Sequence, residues 1–160
     1  LSHRAKAMTS FGPDFTDFLV ALSDHEVEFL LIGGWALAAH GHVRGTDALD
    51  VFVHATPENA PCVMNALLEF GAPLGAHGVE SSGFASLGLG YRMGVKPNLI
   101  EVLTTIDGVT FEEAARDART IDVEGRRVRV IGRAALLKNK RASGRLKDLA
   151  DVEWLERHEE

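Results

Sequence analysis

The feature that most constrains this chain is an apolar run that ends in two adjacent glycines. Residues 27–32 are short, mostly apolar and β-branched at both ends, a pattern that predicts a buried strand. Gly33 and Gly34 break the run, and residues 35–39 resume as a short helix. Glycines let a ligand approach the backbone, and free N–H groups at a helix start favour an anion. Two glycines after a strand are more often an ordinary turn, so both interpretations stay open.

A second apolar strand is predicted over residues 49–53, and it carries an acid near its start. Asp50 stands beside Val51, where an uncompensated carboxylate is unfavourable. A divalent cation would explain this acid, because Mg²⁺ prefers carboxylate oxygens together with substrate phosphates. Pairing with Arg44 or with a turn amide at the solvent end of the strand is an equal alternative.

Strands alternate with helices along the rest of the chain, which predicts an α/β or α+β domain. Helices are expected over residues 14–24, 57–70, 111–117, 133–142 and 146–157, the last with Leu146, Leu149, Val152 and Leu155 at every third position. Strands are expected over residues 84–89 and 98–103, with a hairpin over residues 121–130. Residues 1–7 are typical of a vector-derived leader before Met8, so we expect one domain over residues 8–160.

Charge is unevenly distributed along this chain, whose formal net charge is -6. Residues 126–147 contain many basic side chains and no acid, namely Arg126, Arg127, Arg129, Arg133, Lys138, Lys140, Arg141, Arg145 and Lys147. Such a segment predicts a local anion site, with a solvated helix face or a salt-sensitive RNA-binding surface as alternatives. The single cysteine, Cys62, excludes an intramolecular disulfide. Together with the absence of an apolar run of membrane-spanning length, it indicates a cytoplasmic protein.

Combined, these motifs resemble the nucleotidyltransferase (polymerase-β-like) superfamily, which places Gly-Gly or Gly-Ser after one strand and Asp-x-Asp or Asp-x-Glu in the next. Trp35-Ala36, His40-Gly41 and Arg44-x-Thr46 are similar to the bacterial branch that contains AbiEii-type toxins and stand-alone nucleotidyltransferases. Residues 137–151 resemble the closing basic helix pair of that branch. The resemblance covers most of residues 30–155 except residues 71–96. It implies a small mixed β-sheet flanked by helices, with a closing C-terminal helix pair.

The resemblance also implies an activity, the transfer of a nucleoside monophosphate from ATP or another nucleoside triphosphate to a hydroxyl acceptor. Mg²⁺ or Mn²⁺ would be the cofactor, held by the catalytic carboxylates Asp50 and Glu101. The nucleotide would contact Gly33, Gly34, Arg44, Thr46, Lys138, Lys140, Arg141 and Arg145. Asp148 and Asp151 would orient the cations, and Arg92 and Lys96 are candidates for contact with the second substrate. RNA, a small molecule or a protein side chain would be the acceptor, and a cognate antitoxin would be a partner.

The chain departs from the superfamily pattern at one position, because Ala48 stands where the first carboxylate is expected. Side chains alternate faces along a strand, so Asp47 does not share a face with Asp50 and we do not expect it to substitute. Two explanations stay open: a native alanine in a degenerate member, or an alanine introduced to inactivate the enzyme. We therefore expect impaired transfer, with a non-catalytic nucleotide-binding or partner-binding domain as the alternative.

Overall fold

The computed structural model describes residues 11–158, so the leader predicted over residues 1–7 lies outside them. Six strands are present in these residues: β1 (Phe29–Ile32), β2 (Ala48–Val53), β3 (Gly90–Met93), β4 (Leu99–Leu103), β5 (Arg119–Val123) and β6 (Arg126–Val130). The same residues form seven helices: α1 (Pro13–Asp24), α2 (Gly33–Ala39), α3 (Asn59–Phe70), α4 (Ser81–Phe84), α5 (Phe111–Arg116), α6 (Arg133–Ser143) and α7 (Leu146–Arg157). The predicted α/β class and the closing helix pair are confirmed.

All six strands belong to one mixed sheet, in the order β3-β4-β2-β1-β6-β5. Strand β2 pairs antiparallel with β1 on one side and parallel with β4 on the other. Strand β6 runs parallel to β1, and β5 joins it through the predicted hairpin. Its turn is formed by Glu124 and Gly125, both with positive φ, as two-residue hairpin turns require. Strand β2 therefore lies inside the sheet, and Asp50 has a neighbouring strand on each side.

Apolar periodicity explains the helices on which the sheet packs. In α1, the apolar residues spaced at helical intervals are buried, namely Phe15, Phe18, Leu19 and Leu22. Helix α1 packs against α3 and over β5 and β6, while α2 packs on β1 and β2. Helix α3 ends at Gly71, whose φ of 98° suits glycine at a helix C-terminus. Within residues 11–158, no helix combines the length and apolar character needed to cross a membrane.

The strand predicted over residues 84–89 is wrong. Phe84 ends the single-turn helix α4, and strand β3 begins only at Gly90. Phe84 is fully buried, so its apolar character reflects anchoring of the helical turn in the core. The strand forms over residues 90–93 because these residues pair with β4. In this pairing the side chains of Tyr91 and Met93 are buried, as alternation along a strand requires.

The apolar stripe predicted along α7 is wrong in its first half. Leu146 and Leu149 are exposed, at 88% and 44% of their surface, whereas Val152 and Leu155 are buried as predicted. The first two turns of α7 instead direct two acids inward, Asp148 and Asp151. Buried acids require charged or hydrogen-bonding partners. The beginning of α7 is consequently held by polar contacts, and the end by apolar packing.

Candidate functional site

A cleft of about 570 Å³ lies where the β1–α2 turn and the starts of β2 and β4 meet the beginning of α7. Its cationic lining residues are Arg44, Arg92, Lys96, Lys140, Arg145 and Lys147. Its acidic lining residues are Asp47, Asp50, Glu101 and Asp148. On a chain of net charge -6, the cleft thus has more cationic than acidic lining residues.

Two carboxylates face each other inside this cleft. Asp50 on β2 and Glu101 on β4 are direct register partners on adjacent parallel strands, so their side chains share a face. Burial, followed by the charge of Glu101, raises the pKa of Asp50 to about 6. Asp50 Oδ1 is buried and has no hydrogen-bond partner in the described chain. Arg92 Nε reaches Glu101 Oε2 at 3.6 Å from the exposed side. The pair thus keeps at least one carboxylate oxygen, Asp50 Oδ1, that accepts no hydrogen bond from the described residues.

The two glycines that begin α2 are required by close contacts with neighbouring side chains. Gly33 has a φ of 71°, and a Cβ there would lie 2.4 Å from Asp50 Oδ2. A Cβ on Gly34 would lie 2.7 Å from the Thr46 side chain. Real Cβ atoms do not approach other atoms that closely, so any larger residue would displace the carboxylate or the threonine. Gly33 therefore leaves room for Asp50, Gly34 leaves room for Thr46, and both leave backbone open to the cleft.

Ala48 lines the cleft on the same face of β2 as Asp50. Asp47, one residue earlier, precedes the strand and is exposed, although it borders the cleft. Among residues 11–158, no cluster of three or more His, Cys, Asp or Glu side chains is placed to hold a metal ion. Asp47 therefore lies outside β2, and the paired acids on β2 and β4 are Asp50 and Glu101.

A buried ion-pair network forms the opposite wall. Lys140 Nζ lies 3.3 Å from Asp148 Oδ1 and 2.9 Å from Asp151 Oδ2, and each of the three side chains is at most 6% exposed. Burial would raise the pKa of Asp151, but hydrogen bonds from Arg44 and Lys140 outweigh it and lower that pKa. Asp148 follows the same pattern, with Ser143 and Arg145 as its main hydrogen-bond donors. Both acids thus form ion pairs with cations of the basic segment.

Several predicted nucleotide contacts are already used within the protein. Arg44 donates from Nε and Nη2 to the two carboxylate oxygens of Asp151, at 3.0 and 2.8 Å. Thr46 Oγ1 donates to the Ala48 carbonyl at 3.1 Å. Lys140 is buried between its two acids. These side chains border the cleft, but their polar groups chiefly fix the loop before β2 and the beginning of α7.

Lys138 and Arg141 do not line the cleft, contrary to the grouping predicted from the basic segment. Lys138 Nζ pairs with Glu113 Oε2 on α5 at 2.7 Å. Arg141 pairs with Glu156 on α7. Helical geometry explains the difference, because positions 138 and 141 are neighbours on the surface of α6, whereas position 140 points away from them. The basic segment is therefore divided among several ion pairs and forms no single surface.

Lys147 is the cleft cation that the sequence interpretation left without a role. It follows Leu146 in the first turn of α7 and forms no ion pair within the described residues. Its charge acts on Asp50 and lowers that carboxyl's pKa, against the larger effect of burial. The sequence signal that could have located Lys147 is its position shortly after Gly144, which ends α6.

Comparisons with known proteins add a structural likeness. No protein-family model matches the chain, and no curated protein matches it in sequence. Among solved structures, it is similar to the crystal structure of an antigenic nucleotidyltransferase-like protein from Paracoccidioides brasiliensis. The TM-score is 0.49 and the identity 18%, over 88% of this chain and 73% of that one.

Proposed function

We propose that this chain is a nucleotidyltransferase-type domain that binds a nucleoside triphosphate with one divalent cation, and that Ala48 limits its transfer activity. The observation that carries the proposal is the pair formed by Asp50 and Glu101 on adjacent parallel strands. One oxygen of that pair is buried without a hydrogen-bond partner in the described chain. Carboxylates kept so close and so weakly neutralised suit a cation.

The residues fit one Mg²⁺ or Mn²⁺ ion better than two. Mg²⁺ commonly binds through one or two carboxylates plus substrate phosphates, with water in the remaining positions. Asp50 and Glu101 would supply those carboxylates. When bound, the ion would stabilise negative charge on the phosphate oxygens. A pair of ions needs more acids than residues 11–158 bring together, so a two-ion arrangement does not fit.

The triphosphate would be held chiefly by the two cations at the start of α7. Lys147 has no ion pair in the described chain. Arg145 uses Nε on Asp148 Oδ2 and is 66% exposed, which leaves its terminal N–H groups for phosphate oxygens. The backbone at Gly33 and Gly34 is open to close approach by the same ligand.

Ala48 limits transfer because the two remaining acids cannot fill every role. During transfer the acceptor oxygen bonds to the α-phosphorus, the bond to pyrophosphate breaks, and the hydroxyl proton passes to a base. If Asp50 and Glu101 both hold the ion, neither is left to accept that proton. An acid at position 48 would share the face of Asp50 and supply the missing carboxylate.

The same alanine favours a second candidate function, a non-catalytic domain that binds a nucleotide or a protein partner. Such a domain retains the cleft and the cations without needing a base. A toxin–antitoxin role in the cytoplasm belongs to either candidate and rests on the motif resemblance alone.

A transfer assay separates the two candidates. The unmodified chain, Ala48→Asp and the double variant Ala48→Asp/Asp50→Asn are incubated with labelled nucleoside triphosphates, Mg²⁺ and total RNA. We expect Ala48→Asp to raise transfer about 10²-fold or more, in line with the usual contribution of a positioned base. The double variant, matched in charge to the unmodified chain, should lose that gain. No transfer by Ala48→Asp, despite tight nucleotide binding, would support the non-catalytic candidate.

A further inference from the structure

A second recess of about 200 Å³, here called the side pocket, adjoins the cleft. The two share residues at their junction, including Gly33, Asp50 and Leu103. The side pocket's own walls come from the end of β1, the loop after β4 and α6, namely Ile32, Thr105, Ile106, Asp107, Asn139 and Ser143. A ligand with its reacting phosphorus beside Asp50 can therefore extend into both recesses.

The side pocket differs from the cleft in chemistry. Lys140 and Arg145 at the junction are its only cations among the described lining residues, and both already pair with Asp148. Leu103 and Ile106 supply half-buried apolar surface. Phosphate gains little in such surroundings, whereas a neutral ring with hydrogen-bonding edges gains both apolar contact and polar partners.

Asn139 supplies an ordered polar group in this pocket. Its Nδ2 donates to the Asp107 carbonyl at 2.9 Å, which fixes the side chain. The carbonyl oxygen of the same amide then remains as an acceptor for an N–H donor on a ligand. Ligand sites commonly combine apolar walls with a few such fixed polar groups.

From these observations we infer that the side pocket binds the base of the nucleotide whose triphosphate lies in the cleft. The inference rests on the proposed function and assigns the ligand's two halves to two recesses. A volume of about 200 Å³ is below the roughly 300–1,000 Å³ typical of whole-ligand sites, so it suits one ring system. The nucleotide then lies over Asp50, and its α-phosphorus is placed where the cleft and the side pocket meet.

Filling the pocket tests the inference. Ile106 lines the side pocket but not the cleft, so Ile106→Trp adds bulk only there. Leu68→Trp, on the exposed surface of α3, is the matched control. Calorimetric titrations use the Mg²⁺ complexes of ATP, GTP, CTP and UTP, and inorganic tripolyphosphate as a ligand without a nucleoside. We expect Ile106→Trp to weaken the binding of the nucleotides about tenfold or more, and the binding of tripolyphosphate less than about twofold.

Alkylation of an introduced cysteine tests the inference without filling the pocket, in case Ile106→Trp does not fold. Thr105→Cys and the control Leu68→Cys are made with Cys62→Ser, and alkylation of each new thiol is timed. ATP at about ten times its dissociation constant should slow alkylation at position 105 about tenfold by mass action, and tripolyphosphate should not. Alkylation at position 68 should be unchanged.

The outcomes that overturn the inference differ from those that overturn the proposed function. Nucleotide binding that is unaffected by Ile106→Trp, or that leaves position 105 fully reactive, contradicts the inference alone. Protection of position 105 only after total RNA is added would assign the pocket to an acceptor instead. If the unmodified protein binds neither nucleotides nor tripolyphosphate, the proposed function itself fails.

Discussion

The two walls of the cleft each carry a pair of acids, and the two pairs are treated in opposite ways. On the helix side, Asp148 and Asp151 are almost fully buried but surround Lys140, and their pKa values are lowered. On the sheet side, Asp50 lies beside Glu101 with an oxygen left without a partner, and its pKa is raised to about 6. Burial alone therefore does not decide how a carboxylate titrates in this protein.

The difference separates acids that stabilise the fold from acids that remain available to a ligand. Asp148 and Asp151 are neutralised by the chain's own cations, so they join α6, α7 and the loop before β2 at all times. Asp50 and Glu101 receive no such buried cation within residues 11–158, so a bound cation would relieve their repulsion. Each prediction below changes one side of this contrast.

The largest expected effect is on the helix side. Lys140→Met would leave Asp148 and Asp151 buried without their shared cation. We expect the free energy of unfolding to fall by about 3–5 kcal/mol, as is usual when one partner of a buried ion pair is removed. Urea denaturation followed by circular dichroism measures the change. Lys138→Met, which removes an exposed pair with Glu113, should change stability little, and an equal loss in both variants would contradict the account.

On the sheet side, removing a charge should stabilise the protein. Because the folded pKa of Asp50 is about 6 against an ordinary 3.8, the folded state holds the proton more tightly. Stability should therefore fall as pH rises from about 4 to above 6, by up to about 3 kcal/mol. Asp50→Asn should lack this fall and be more stable at pH 7.5 without metal. Denaturation across that pH range, with exposed Asp47→Asn as the control, measures it, and a less stable Asp50→Asn would refute the assignment.

The contact between Gly33 and Asp50 should have a smaller effect. Gly33→Ala places a methyl group against Asp50 Oδ2 and adds the strain of a positive φ. Gly125→Ala is the matched control, because its φ is 80° and nothing lies within 4 Å of the added methyl. We expect each to lose about 1 kcal/mol from backbone strain, with about 1–2 kcal/mol more for Gly33→Ala. Equal losses, measured by thermal denaturation, would show that the contact with Asp50 is unimportant.

The sequence predicts the sheet side of the cleft better than the helix side. Alternation along β2 and the glycine pair depend on local backbone geometry, so Gly33, Ala48 and Asp50 were placed correctly relative to one another. Glu101 was assigned through the family resemblance, and the register of β2 with β4 places it opposite Asp50.

The errors lie where distant contacts decide the structure. Leu146 and Leu149 follow a helical repeat, but the buried charge of Lys140 draws the intervening acids inward. Lys138 and Arg141 share a segment with Lys140 but pair with acids on α5 and α7. Spacing along the chain does not show which acid each cation meets. Strand β3 was missed because pairing with β4, not its own composition, defines it.

The most direct test of the central claim is whether Asp50 couples nucleotide binding to a divalent cation. Isothermal titration of ATP is carried out with Mg²⁺ and with EDTA, on the unmodified protein and on Asp50→Asn. The account predicts that EDTA weakens binding about tenfold or more in the unmodified protein and changes it little in Asp50→Asn. Because Asp50→Asn is expected to be the more stable protein, lost coupling would not reflect unfolding. Nucleotide affinity that is the same with Mg²⁺ and EDTA in the unmodified protein would contradict the claim.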